Sequence, residues 1–271
     1  MKKISITTGC IKKIPCLHIS KGKPSPSTVT MIHETPVELR INGHSFIRTQ
    51  CMAHEVEQMA VGFMVCEGLL QKRSELKRVE ADLAAGVVNV VAEIPHARLQ
   101  EAGAHIRLAS GGSKTGVIDL MQEKVKNGFI ISSKKTINAE HLISLGIEFN
   151  NFAGLYRDSR FVHSAALSDG ITIIRHCEDV GRHNAVDKVL GYGFMEGLRF
   201  DELVLLCSGR FSLEMVSKVA CVGIPIYVSP AAPSVEAVEL AERINMTLCG
   251  RVKKDSANIY SASWRIESTR L

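Results

Sequence analysis

Residues 203–230 decide the fold, and they read LVLLCSGRFSLEMVSKVACVGIPIYVSP. Residues 203–207 and 224–228 are short apolar runs, which is typical of strands buried on both faces of a sheet. Between them, residues 212–222 place apolar side chains at the spacing of one helix face. A strand, a helix and a second strand in this order predict a βαβ unit, in which the two strands are parallel.

The same alternation of short strands and helices continues on both sides of this unit. Further strands are predicted at 171–175, 246–249 and 258–260, and further helices at 182–191 and 234–244. This pattern indicates a largely parallel sheet that is covered by helices on both faces. We assign a three-layer α/β/α domain to residues 141–271.

The first half of the chain has a different rhythm, which predicts a smaller α+β domain at residues 28–140. Asn42-Gly43 lies between alternating apolar residues, and such a pair is a strong hairpin signal. The other predicted elements are a helix at 53–66, a strand at 87–94, a glycine-rich loop at 110–116 and a helix at 137–149. Residues 1–27 end in the linker-like KGKPSPS and are predicted to form a basic, flexible extension.

Composition and charge exclude several classes of protein. Of the 271 residues, 45% are hydrophobic and 5% are aromatic, and the net charge of +5 comes from lysines of the N-terminal extension. We therefore expect no nucleic-acid partner. No apolar run approaches the roughly 20 residues of a membrane helix. The MKK at the start is not followed by the apolar run of a secretory signal. We therefore expect a cytoplasmic protein without a membrane partner. The eight cysteines contain no C-x-x-C pair, which argues against a zinc site and a disulfide framework.

Candidate ligand-binding residues follow the predicted strands. In open α/β sheets, ligands bind outside the carboxyl ends of the strands, where helix N-termini add N–H donors. The charged and polar residues at these positions are Glu178, Asp179, Arg182, His183, Ser208, Arg210, Ser229, Arg251, Lys253 and Lys254. They predict a site for an anionic, phosphate-bearing ligand. The alternative is that Arg182 and Arg210 form structural ion pairs with Glu178, Asp179 or Glu214.

Other sequence signals for a functional site are weaker. His176-Cys177-Glu178 matches half of a zinc-deaminase signature, but the P-C-x-x-C half is absent, so no metal site is expected. The segment SGGSKTG at 110–116 lacks two residues of a phosphate-binding P-loop. His183 is a candidate general base or capping residue, whereas His163 in an apolar run is more typical of a core residue.

Several long motifs resemble one protein family. They are HETPVELRING (33–43), AVGFMVCEGLL (60–70), HSAAL (163–167), EDVGRHNAVDKVLG (178–191), SGRFSLEMVSK (208–218) and GIPIYVSPAAPSVEAVELAE (223–242). The chain resembles the formate dehydrogenase accessory proteins of the FdhD family. The resemblance implies a C-terminal domain similar to cytidine deaminases, without zinc, and a cytoplasmic homodimer. It also implies that a persulfide from a cysteine desulfurase passes to the molybdenum bis-guanine-dinucleotide cofactor before that cofactor enters formate dehydrogenase.

The chain differs from the family at two places. The persulfide loop of the family has a C-G-x-C pattern, and here Gly112 and Thr115 stand at the positions of the two catalytic cysteines. Near the C-terminus, Asp255 and Ser256 replace a glycine–arginine pair that the family links to cofactor binding.

Three hypotheses remain open. The chain transfers sulfur through another thiol, for which Cys177, Cys207 and Cys249 lie nearest the predicted edge, although their strand positions indicate burial. Alternatively, it binds the cofactor or GDP as a chaperone without sulfur chemistry. The third hypothesis is a structural or regulatory paralogue without either activity, and the retained strand-end residues favour the second over this third one.

Overall fold

The computed structural model describes residues 9–108, 116–152 and 154–268. The strands are β1 (Ile11–Ser20), β2 (Lys23–Ile32), β3 (Thr35–Ile41), β4 (His44–Cys51), β5 (Leu76–Asp82), β6 (Val87–Ala92), β7 (Ile137–Asn138), β8 (His163–Ser168), β9 (Ile173–Asp179), β10 (Val204–Cys207), β11 (Ile226–Val228), β12 (Thr247–Gly250), β13 (Asn258–Ile259) and β14 (Ile266–Glu267). The helices are α1 (Val56–Cys66), α2 (His96–Leu108), α3 (Val117–Lys126), α4 (Ala139–Phe152), α5 (Gly154–Ser159), α6 (Arg182–Met195), α7 (Leu213–Cys221) and α8 (Val235–Arg243).

The C-terminal half forms a six-stranded sheet with the order β13-β12-β11-β10-β8-β9. Strands β10, β11 and β12 are parallel, as the sequence predicts, but β8, β9 and β13 pair antiparallel with their neighbours. The strand predicted at 171–175 is displaced because residues 169–172 form the β8–β9 turn. The Asp169 carboxylate accepts the backbone N–H groups of Ile171 and Thr172 and holds this turn.

The antiparallel hairpin still leaves the predicted loops on one side of the sheet. Strand β9 is antiparallel to β8, which is antiparallel to β10, so β9 runs in the same direction as β10, β11 and β12. The carboxyl ends of these four strands therefore meet at one edge, together with the amino end of β8. We call this the carboxyl edge of the sheet.

Helices cover both faces of the six-stranded sheet, which is the predicted layered arrangement. Leu205, Tyr227 and Leu248 point to the face that α6, α7 and α8 cover. Their neighbours along the strands, such as Leu206 and Val228, point to the opposite face and pack against α4. This alternation explains why the central strands read as continuous apolar runs.

The N-terminal half contains a four-stranded sheet with the order β4-β3-β6-β5. The predicted hairpin is present, and Asn42 and Gly43 both have the positive φ that its tight turn requires, at 50° and 83°. Helix α1 packs between this sheet and α6. The helix starts at Val56 rather than at residue 53, because Glu55 has a left-handed φ of 56°.

The N-terminal segment corrects one expectation. Residues 11–32 form a two-stranded ribbon, β1–β2, instead of an extension that ends in a linker. Lys21 and Gly22 form its turn with positive φ values. Prolines and serines read as a linker here, but Pro24 and Pro26 are compatible with a strand that has a partner on one side only.

The predicted domain boundary between residues 140 and 141 stays a prediction. Helix α4 begins near it, and the short strand β7 precedes the helix where sequence alone indicated helix from residue 137. Strand β7 pairs with β14, and Cys66 of α1 belongs to the same apolar cluster as Leu205 and Leu248. None of the described helices has the length and apolar composition of a membrane-spanning segment.

Candidate functional site

Two arginine side chains at the carboxyl edge have no carboxylate partner among the residues that the structure describes. Arg182 is half-buried at the start of α6, and its stem lies against Gly209, where an added Cβ would come within 2.9 Å of the arginine Cδ. Arg210 is exposed in the loop after β10. Neither guanidinium forms an ion pair with any described residue. The structural ion pairs considered from the sequence are therefore absent from this part of the chain.

Asp179, a predicted ligand contact, has a structural role instead. Its side chain is fully buried and lies 2.6 Å from the Lys188 Nζ. The same carboxylate accepts the backbone N–H of Met52 at 3.0 Å and the side-chain amide of Asn184 at 2.9 Å. Because these groups surround it, Asp179 holds α6 and the end of β4 to the sheet and does not face an external ligand.

Glu178 and Ser229 also brace the loops of the edge. The Glu178 carboxylate accepts the N–H groups of Leu155 at 3.3 Å and Tyr156 at 3.2 Å, at the start of α5. Burial raises its pKa. The Ser229 hydroxyl donates to the Gly209 carbonyl at 2.8 Å and so ties the loop after β11 to the loop after β10.

Ser208 contacts a histidine that sequence reasoning assigned to the core. The His163 Nδ1 lies 3.3 Å from the Ser208 Oγ, which also accepts the Ser164 N–H at 3.0 Å. His163 is half-buried at the amino end of β8, so it lies at the carboxyl edge. Burial, with the positive charge of Arg182, lowers its pKa. The signal that could have placed it is the reversed direction of β8, which periodicity does not give.

The loop after β12 adds three exposed cations to the edge. Arg251, Lys253 and Lys254 are all exposed, as the sequence-based site requires. The Arg251 N–H donates to the Ala231 carbonyl at 3.0 Å, and the Lys253 N–H donates to the Ser256 carbonyl at 2.8 Å. These backbone bonds hold the loop against its neighbour while the three side chains stay at the surface.

A cavity of about 770 Å³ opens beside the start of α6. Gly181, Arg182, His183 and Asn184 line one side, and the α6 N-terminus has no side-chain cap, so its first N–H groups remain donors. The remaining wall consists of residues of β3, β4, α1 and β6. It combines apolar side chains, including Val37, Leu39, Ile47, Met59, Phe63 and Val88, with the polar Arg48, Thr49 and Gln50 of β4. No sequence pattern predicted that the N-terminal half contributes this wall.

His183 faces an acidic partner across this cavity. Its Nε2 lies 3.1 Å from a carboxylate oxygen of Glu214 on α7. His183, Glu214 and Asp187 all line this cavity. His183 is therefore positioned between α6 and α7, and both predicted roles, capping and general base, stay predictions.

The described residues offer neither a metal centre nor a reactive thiol at the edge. No group of three His, Cys, Asp or Glu side chains among them is arranged to hold a metal ion. Cys177, Cys207 and Cys249 are all buried, as their strand positions indicated. Burial raises the pKa of each, to about 12 for Cys249. Gly112 and Thr115 lie outside the described residues.

Fold and site together define a mixed α/β protein with a cationic edge beside a cavity of mixed polar and apolar lining. The model of the FdhD/NarQ family matches residues 32–267. The chain therefore belongs to the FdhD/NarQ family.

Proteins similar to the chain along most of its length support this assignment. The sulfur carrier protein FdhD of Staphylococcus aureus (strain MRSA252) is 31% identical over 252 residues, which cover 93% of this chain and 95% of that one. The sulfur carrier protein FdhD of Shouchella clausii (strain KSM-K16) is 32% identical over 251 residues, 91% of this chain and 93% of that one. The crystal structure of a "putative formate dehydrogenase accessory protein" from Desulfotalea psychrophila matches with a TM-score of 0.78 at 23% identity, covering 95% of this chain and all of that one. This last likeness bears on the fold.

Proposed function

We propose that this protein is a formate dehydrogenase accessory protein of the FdhD type that binds the molybdenum bis-guanine-dinucleotide cofactor and takes part in its sulfuration and delivery. The names of its relatives, sulfur carrier protein FdhD, support this role. Its partners are then a cysteine desulfurase and a formate dehydrogenase, and it acts in the cytoplasm as a homodimer. The likeness of the C-terminal domain to cytidine deaminases belongs to the same proposal.

One observation carries the binding step: Arg182 and Arg210, which have no carboxylate partner among the described residues, lie at the carboxyl edge beside an uncapped helix N-terminus. Guanidinium groups and helix N-termini both bind phosphate oxygens. The cavity of about 770 Å³ lies within the usual size range of ligand pockets and adds apolar side chains, such as Met59 and Phe63, against which a planar base can pack. A dinucleotide cofactor offers both a pyrophosphate and a base.

The cofactor is the cargo of this reaction, and it supplies the molybdenum to which sulfur is added. The residues of the chain bind and orient it. Arg182 and Arg210 hold phosphate oxygens, while Arg251, Lys253 and Lys254 attract the anion. Ser208 and His163 offer hydrogen bonds to a polar group at the amino end of β8.

A second candidate function is a cofactor-binding or GDP-binding chaperone without sulfur transfer. Gly112 and Thr115, which stand where the family has cysteines, favour it, because neither side chain can hold a persulfide. The burial of Cys177, Cys207 and Cys249 favours it too. Both candidates share the binding step.

Calorimetric titration with GDP tests that step. The double variant Arg182→Ala, Arg210→Ala should lower GDP affinity by at least about 100-fold, because each lost charge-assisted hydrogen bond is worth roughly 1.5–3 kcal/mol. Arg243→Ala is the matched control, since Arg243 is exposed on the last turn of α8, near the opposite edge of the sheet. Unchanged affinity in the double variant would contradict the site.

A further inference from the structure

A second cavity, of about 350 Å³, lies away from the carboxyl edge. It is bounded by the end of α1, by α2 and α3, and by the end of α7. Leu70, Ala102, Leu120, Phe194 and Val222 form an apolar lining, and Glu67 and Cys221 line the same cavity.

Cys221 differs from most cysteines of the chain in its access. Of the eight cysteines, six are buried, and Cys16 and Cys221 are partly exposed. Cys16 lies on the β1–β2 ribbon, whereas Cys221 ends α7 and lines the cavity. Burial raises the pKa of the Cys221 thiol to about 11, with Lys124 acting in the opposite direction. The thiol therefore stays protonated unless a base takes its proton.

Glu67 supplies a base in the same cavity. Its side chain is only 5% exposed, and one carboxylate oxygen accepts the Gly116 N–H at 2.8 Å. The other oxygen, Oε1, is buried and has no hydrogen-bond partner among the described residues. Burial raises the pKa of this carboxyl to about 7. A buried carboxylate oxygen of this kind can accept a hydrogen bond or a proton from a group that enters the cavity.

Charged groups face Glu67 and Cys221 from four helices. They are Arg98 and Glu101 on α2, Lys124 on α3, Asp187 on α6, and Glu214 and Lys218 on α7. The Lys218 ammonium favours the ionised form of Glu67, but it is shared with Asp187, whose carboxylate lies 2.6 Å away. Burial outweighs this attraction, so the carboxyl group titrates near neutrality.

We infer that Cys221 accepts a sulfane sulfur atom from a persulfide in this cavity, with Glu67 taking the proton of the thiol. The inference rests on the proposed sulfur-carrier role and names a cysteine that can perform it in this chain. Gly116, which Glu67 binds, directly follows the segment in which the family has its cysteines. In sequence, the site therefore adjoins that segment.

The transfer is balanced without an added oxidant. The Cys221 Sγ attacks the terminal sulfur of R–S–SH as its proton moves, through water in the cavity, to the Glu67 carboxylate. The new S–S bond forms as the S–S bond of the donor breaks, and R–S⁻ takes the proton from Glu67 and leaves as R–SH. The product is Cys221–S–SH, and the total number of disulfide-type bonds is unchanged.

Sulfur loading with cysteine persulfide tests the inference on the full-length protein. Intact mass and peptide mapping should show one added sulfur atom on Cys221. Cys221→Ser should abolish this gain, and Cys16→Ser, the matched control at the other partly exposed cysteine, should leave it unchanged. Sulfur on a different cysteine, or no gain in the wild type, would overturn the assignment.

Glu67→Gln separates the proton-transfer role from a structural one, because the amide oxygen can still accept the Gly116 N–H. The initial loading rate of this variant should fall at least about tenfold. We expect the loading rate of the wild type to rise near pH 7, and this rise should be absent from the variant. An unchanged rate and pH profile would overturn the role of Glu67. GDP titration of the same variants distinguishes the two proposals: retained GDP affinity with failed loading removes the Cys221 site and leaves the cofactor-binding function intact.

Discussion

His176 shows at the residue scale how burial controls a charge. Its ring lies between those of Phe149 and Phe152, with centroids 5.9 and 5.5 Å away, and its Nε2 is buried without a partner in the described part of the chain. Burial lowers its pKa from the usual 6.5 to about 4. The native state therefore excludes the protonated ring, whereas the unfolded chain accepts it.

This difference predicts a pH-dependent stability. The unfolded state binds more protons below pH 6.5, so His176 costs stability increasingly as the pH falls towards 4, by about 2 kcal/mol at pH 5. His176→Phe should remove that share of the loss between pH 7.5 and pH 5, measured by urea unfolding at both pH values. His141→Phe, at an exposed position of α4, is the control and should keep the wild-type slope. An equal loss of unfolding free energy between pH 7.5 and pH 5 in all three proteins would contradict this role of His176.

Residue types alone located the carboxyl edge but not the role of each side chain. Arg182, Arg210 and the cations after β12 were predicted from their positions behind strands. In the described part of the chain, Arg182 and Arg210 have no carboxylate partner, and the cations after β12 are exposed. Asp179 was predicted to contact the ligand for the same reason. Its carboxylate instead forms an ion pair with Lys188 and accepts the Met52 N–H. Met52 lies 127 residues away in sequence, and no local pattern reports such a partner.

Two glycines set the crossing of α1 and α6 at the element scale. A Cβ at Gly62 would overlap the Asp187 carbonyl, and one at Gly191 would overlap the Gln58 carbonyl. The helix backbones therefore touch where each lacks a side chain. These glycines belong to two of the motifs that carry the family resemblance, so close helix packing accounts for them without a ligand.

Gly62→Ala should destabilise the protein by at least about 2 kcal/mol, because the added methyl group meets backbone rather than a movable side chain. Gly154→Ala is the control, since nothing lies within 4 Å of a Cβ at the start of α5. Thermal or urea unfolding measures both changes. A Gly62→Ala protein as stable as the control would show that the helices can separate without cost.

Several elements follow from local sequence signals, whereas others were missed. The apolar runs of β10, β11 and β12 and the Asn-Gly turn follow directly from the sequence. The β1–β2 ribbon was missed because its prolines and serines resemble a linker. Helix α2 was missed because its apolar and polar residues are evenly mixed.

The α1–α6 contact joins the two larger sheets. It brings the wall formed by the N-terminal half into the same 770 Å³ cavity as Gly181, Arg182, His183 and Asn184. Sequence reasoning found only the half of the site that follows the strands of the second sheet. The wall formed by β3, β4 and α1 depends on how the two halves pack together, which no periodicity encodes. The candidate site is therefore a property of the assembled chain.

Hydrogen exchange with and without GDP tests most directly that the carboxyl edge binds the nucleotide part of the cofactor. At saturating GDP, backbone amides of residues 181–184, 208–212 and 250–254 should exchange more slowly. Amides of the β8–β9 turn at 169–172, on the opposite edge, should be unaffected. Slower exchange confined to that opposite edge or to the β1–β2 ribbon, or no change at all, would contradict this account.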